Sequence, residues 1–108
     1  MRRGSGGDRL DAVEEGRCTE YLAECFWPGV TENDLTDLDG RARASAEATA
    51  GVRYLGSMFV PGDEVVFCFF DAPSTEAVQA VAERGAIPFE RIVESVHVPA
   101  TAKRRGEP

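Results

Sequence analysis

The chain has 108 residues, 43% hydrophobic and 29% charged, which is the composition of one soluble globular domain and too little for two. No apolar run approaches the ~20 residues that cross a bilayer, so no membrane span is expected. A net charge of −7 argues against nucleic acid as the partner, and one histidine with three cysteines supports neither a multi-histidine metal centre nor a disulfide framework.

Residues 1–17 are glycine, serine and mixed charge, with Leu10, Ala12 and Val13 as isolated apolar positions, and are expected to form a disordered tail. Arg2 and Arg3 lack the following ~7–15 apolar residues that a secretory signal needs. Residues 99–108 read as a second disordered tail, with Lys103, Arg104 and Arg105 as a solvated basic end. The domain between, 18–98, holds five of the 12 basic and 14 of the 19 acidic residues, a net of −9. No signal and an odd cysteine count point to a reducing cytoplasm.

The first strand is expected over Cys18–Trp27. One face carries Tyr21, Ala23, Cys25 and Trp27, the other Leu22, Glu24 and Phe26, a period of two. Pro28-Gly29 ends it. Thr31 then caps a helix, with Asp34 in the capping-box position. Its apolar stripe is Leu35, Leu38, Ala42, Ala46 and Ala50, and Gly51 is placed to close it. Val52–Val60 and Glu64–Phe70 read as a hairpin about Pro61-Gly62-Asp63. The run Val65–Phe70 predicts a central strand buried on both faces. Ser74 caps a second helix with Val78, Val81 and Ala82 inward, closed by Gly85. Arg91–Val98 is the last strand. The order βαββαβ is the ferredoxin-like α+β pattern, a four-stranded antiparallel sheet with both helices on one face.

Two helices leave the other face bare, and strands 1 and 3 carry large apolar groups on both sides. Two or three bare aromatics would match a monomer's largest typical patch of ~300–600 Å². The sequence therefore predicts a homodimer with its sheets face to face, of the dimeric α+β barrel type.

Several side chains are candidates for chemistry. Glu24, between Leu22 and Phe26 on its own face, must be paired with Arg53 or Arg91, face a cavity, or hold a raised pKa. An unpartnered Glu24 in a ligand pocket is the expectation adopted. Cys25 and Cys68 fall on neighbouring strands, as soft metal ligands or as small core residues. His97 is a ligand or a solvated edge histidine. Asp71 is a cation ligand or a turn residue. The candidate metal set is thus Glu24, Cys25, His97, Asp71 and Cys68. Tyr21, Trp27 and Tyr54 could line a ligand pocket around Glu24.

Four segments carry a resemblance: YLAECFWPGVT (21–31), GVRYLGS (51–57), FCFFDAPSTEA (67–77) and IPFERI (87–92). The chain resembles the bacterial domain-of-unknown-function 4242 family, which contains small actinobacterial nickel-binding proteins. The resemblance implies a ferredoxin-like, usually dimeric protein with no settled reaction, and nickel as its metal. No nickel ligand set is carried over residue by residue, since His97 is the only histidine. The function expected is a non-catalytic protein that holds a metal ion or small molecule as a homodimer, without nucleic acid or membrane. The alternative is a cofactorless dimeric α+β barrel oxygenase or isomerase acting on a small aromatic substrate, with Glu24 or His97 as acid/base.

Overall fold

The computed structural model describes residues 18–100. The expected tail at 1–17, and 101–108 of the second tail, lie outside the described residues. Six elements follow in the order expected: β1 (Thr19–Phe26), α1 (Glu32–Glu47), β2 (Arg53–Val60), β3 (Val65–Ala72), α2 (Thr75–Arg84) and β4 (Arg91–Ser95). The strands form one antiparallel sheet in the order β2-β3-β1-β4, the ferredoxin-like α+β arrangement. Among the described residues no helix is long and apolar enough to cross a membrane.

Both helix starts are fixed by local chemistry. Thr31 Oγ1 accepts from the Asp34 amide at 3.1 Å, and the Thr31 amide donates to Asp34 Oδ2 at 2.9 Å. Ser74 Oγ accepts from the Ala77 amide at 3.1 Å. Helix α1 ends sooner than its stripe suggests. Its C-cap is Ala48, and Ala50 is exposed. Gly51, at φ +83°, serves the turn into β2 instead.

Both helices lie on one face of the sheet. Tyr21, Ala23 and Cys25 of β1 and Val66, Cys68, Phe70 and Ala72 of β3 are buried there under Leu38, Ala42 and Ala46 of α1 and Val78, Val81 and Ala82 of α2. Strand β3 is not buried on both faces, as its run of apolar residues predicts. Its burial alternates, with Val65, Phe67 and Phe69 only partly covered. Nothing in the described chain packs over that side, so hydrophobicity alone could not bury it.

The helices are tied together near their C-terminal ends. Ser45 Oγ donates to the Val81 carbonyl at 2.8 Å, and Arg41 donates to the carbonyls of Gly85 and Ala86 at 2.8 and 2.5 Å. Arg84 reaches back to the Ser45 carbonyl at 3.4 Å. Cations here also offset the negative ends of both helix dipoles. A Cβ at Gly85 would lie 3.2 Å from Arg41 O, Ser45 Cβ and Val81 O, so any side chain there must push its neighbours back by a few tenths of an ångström. Gly85→Val is expected to cost about 1–3 kcal/mol by overpacking. Urea denaturation should show a lower midpoint at unchanged slope.

Candidate functional site

The sheet face opposite the helices is the candidate site, and strand register places its side chains in rows. At one end Val60, Val65 and Phe26 lie side by side across β2, β3 and β1. The next row is Met58, Phe67, Glu24 and Arg91, and the next Gly56, Phe69, Leu22 and Val93. The last is Arg53, Asp71, Glu20 and Ser95. Two rows are thus apolar, one is half apolar and half the Glu24–Arg91 pair, and the last is polar. Phe26 and Met58 are 50% and 54% exposed. A register shift between Tyr54 and Gly56 turns Leu55 outward at the β2 edge, with Gly56 at φ +124°.

Two ion pairs occupy opposite corners of this face. Arg53 bonds Asp71 at 2.7 Å, and Arg91 Nε bonds Glu24 Oε1. The face therefore sums to one negative charge from Glu20, Glu24, Asp71, Arg53 and Arg91, within a domain of net −9. It is close to neutral where the rest of the surface is acidic.

The residues singled out from sequence are scattered by this geometry. Glu24 has a partner, contrary to the expectation of an unpaired pocket carboxylate, because Arg91 stands opposite it in the β1–β4 register. Asp71 is held by Arg53. Tyr21 is buried in the core, and Tyr54 and Trp27 pack against that core beneath the helices. They are on the other side of the sheet from Glu24 and form no pocket with it. His97 is exposed and lies beyond β4, which stops at Ser95 rather than Val98. Among the described residues no three His, Cys, Asp or Glu side chains come together as a metal group. The periodicity of β2 and β4 held the signal for Met58, Val60 and Val93, which sequence reasoning did not assign to the site.

Cys25 and Cys68 are both free, fully buried and on adjacent strands. Their mutual hydrogen bond, and then burial, push the Cys68 thiol far above the ordinary range, so it stays protonated at neutral pH. They behave as small core residues. Tyr54 stacks obliquely on Phe70, ring centroids 5.4 Å apart, and its hydroxyl is buried with no hydrogen-bond partner. Burial pushes that hydroxyl up to about 12, partly offset by nearby Ser57.

Two outcomes are expected. Glu24→Gln should cost no more than about 1 kcal/mol, because both members of the pair are partly in water. A denaturation midpoint shift much larger than that, insensitive to salt, would contradict it. Tyr54 holds its proton more tightly folded than unfolded, so stability should fall as pH rises from about 10 to about 12. Tyr54→Phe should flatten that alkaline loss and change neutral-pH stability by at most about 1 kcal/mol, since the hydroxyl makes no bond to lose.

No curated protein matches the chain. Among solved structures, the crystal structure of SCO4226 from Streptomyces coelicolor A3(2) superposes with a TM-score of 0.64 at 22% identity, covering 74% of this chain and 99% of that one. At that identity the likeness speaks for the fold alone. The family model described as "Nickel responsive protein SCO4226-like" matches residues 21–94. That is most of the chain and the sheet from Tyr21 to Glu94, and the chain belongs to the SCO4226-like family of nickel responsive proteins.

Proposed function

We propose that this chain is a small non-catalytic binding protein that works as a homodimer assembled through the open face of its sheet. The observation that carries this reading is the placing of bulk. The central strands give the helices Tyr21, Ala23, Cys25, Val66, Cys68, Phe70 and Ala72, and still turn Leu22, Phe26, Val65, Phe67 and Phe69 to the uncovered side. A protein that stayed alone would leave that bulk partly in water. The occupant that fits is a second copy. A strongly acidic chain meets itself at least electrostatic cost on its one nearly neutral face. Three strands of eight residues and one of five, ~4.8 Å apart at ~3.3 Å per residue, give about 460 Å² in projection. Side-chain relief brings this toward the ~800 Å² per partner of a standard interface.

The family's description supports a link to nickel, and the finer domain-of-unknown-function 4242 assignment rests on the sequence motifs alone. The donors of a single protomer do not fit a nickel centre. Glu24 and Asp71 are engaged by arginines, Cys25 and Cys68 are sealed under helices, and no donor trio converges among the described residues. A metal would need donors from two protomers, and exposed His97 is the one candidate free to contribute. The three free cysteines agree with a reducing cytoplasm. The oxygenase or isomerase reading draws no support from the geometry, since its aromatic residues and Glu24 lie on opposite sides of the sheet.

Light scattering at micromolar concentration should give twice the chain mass of 11.7 kDa. Phe26→Glu with Met58→Glu, both half-exposed in the protomer, should give a folded monomer by circular dichroism. A wild-type monomer that binds no apolar dye would overturn the proposal. Nickel titrated into the dimer should bind at least tenfold more weakly to His97→Ala, followed by calorimetry. Unchanged affinity would remove His97 from the site.

A further inference from the structure

We propose that the cleft between the C-terminal halves of α1 and α2 is a binding site for a small organic carboxylate with a short apolar body. It lies in the helix layer, on the side of the sheet away from the open face, so it goes beyond the homodimer and does not depend on it. The cleft holds about 360 Å³, within the ~300–1,000 Å³ of small-molecule sites. Its walls are mostly apolar, with Ala44 and Ala48 on the α1 side and Ala86 just after α2. All three alanines are exposed. Its lining also includes two guanidinium groups, those of Arg41 and Arg84.

Charge points to the ligand. Among the described residues Arg41, Arg43, Arg53 and Arg91 each bond a carboxylate, of Asp37, Asp39, Asp71 and Glu24. Arg84 bonds none. It uses one nitrogen, Nη2, for the Thr49 hydroxyl and the Ser45 carbonyl. Its Nε and Nη1 donate to nothing among the described residues, which leaves N–H groups to meet an anion. Arg41 is neutralised by Asp37, so the cleft keeps one positive charge within a domain of net −9. The carbonyls at the end of α2 would repel an anion, but those of Gly85 and Ala86 are already taken by Arg41.

The backbone at Ala86 is a second, independent sign. The Ile87 amide donates to the Ala82 carbonyl and the Ala86 amide to the Glu83 carbonyl, which is the Schellman ending of a helix. Its left-handed residue is ordinarily glycine, which adopts that conformation freely. Here it is Ala86, at φ +55°. The chain thus holds a strained residue whose methyl lines the cleft, and such strain collects at ligand sites.

The test titrates the isotope-labelled full chain with benzoate, benzyl alcohol and inorganic phosphate at constant ionic strength, followed by amide NMR shifts. Benzoate should give saturable shifts at residues 44–48 and 84–87. It should bind at least tenfold more tightly than benzyl alcohol, which lacks the charge, and than phosphate, which lacks the apolar body. Arg84→Gln should weaken benzoate at least fivefold. Arg84 also ties α2 to α1, so a second variant leaves both arginines in place. Ala44→Leu, at an exposed helix position, fills the cleft and should abolish saturable binding with an unchanged circular dichroism spectrum. Ala86→Gly should keep or raise the thermal midpoint and bind benzoate at least twofold more weakly. Absence of saturable shifts, benzoate no tighter than the two control compounds, or unchanged binding by Arg84→Gln and Ala44→Leu would each overturn the site. A wild-type chain that is monomeric would overturn the homodimer and leave this site standing.

Discussion

The rest of the structure depends on one imbalance: two helices cover one side of a four-stranded sheet, and among the described residues nothing covers the other. The sealed side is built for close approach. Small residues in β1, β3 and the helices let α1 and α2 lie near the sheet, and the Arg41, Ser45 and Arg84 clamps fix the helices to each other. That side can hold its shape by itself. The other side has received aromatic and aliphatic bulk that contributes little until something excludes water from it. A rigid platform carrying an unsatisfied face is a form suited to association, because little conformational freedom is lost when a partner arrives.

Electrostatics narrows the choice of partner. A domain of net −9 repels copies of itself over most of its surface. On the open face, each carboxylate of the Arg53–Asp71 and Arg91–Glu24 pairs is neutralised within the protomer. These pairs therefore matter less as stabilising links, where partly exposed pairs contribute little, than as a means of keeping the face near neutral. The same reasoning explains why Glu24 can stand among Leu22, Phe67 and Phe26 without a cavity. Its charge is compensated from the adjacent strand.

Much of this was legible in the sequence, and the failures have physical causes. Capping at Thr31 and Ser74 is local chemistry, and both caps stand where sequence placed them. The βαββαβ order followed from alternation and breakers alone. The ends of α1 and β4 were read too long for a common reason: local pattern continues after tertiary support stops. Ala50 keeps the helical spacing, but the helix is already capped at Ala48. Val96 and Val98 keep the strand spacing, but the Ser95–Glu20 pair is the last of the β1–β4 ladder. The partner of Glu24 could not be chosen from sequence because Arg53 and Arg91 both sit on edge strands. Only the register, which pairs Arg53 with Asp71 and Arg91 with Glu24, separates them. The imagined pocket of Tyr21, Trp27, Tyr54 and Glu24 failed on parity, since Tyr21 and Glu24 are an odd number of residues apart in one strand and must point to opposite faces.

Family and fold therefore leave the site itself to be decided by side chains. The SCO4226 structure shares the fold at 22% identity, and a shared ferredoxin-like frame is compatible with many activities. Of the metal candidates singled out from sequence, Glu24 and Asp71 are neutralised, Cys25 and Cys68 are buried, and His97 lies in the segment after β4. The apolar groups able to bind a protein are gathered on one face. His97, the one histidine of the chain, lies in that segment between exposed Val96 and Val98, so within a protomer no metal-holding group of described residues forms around it.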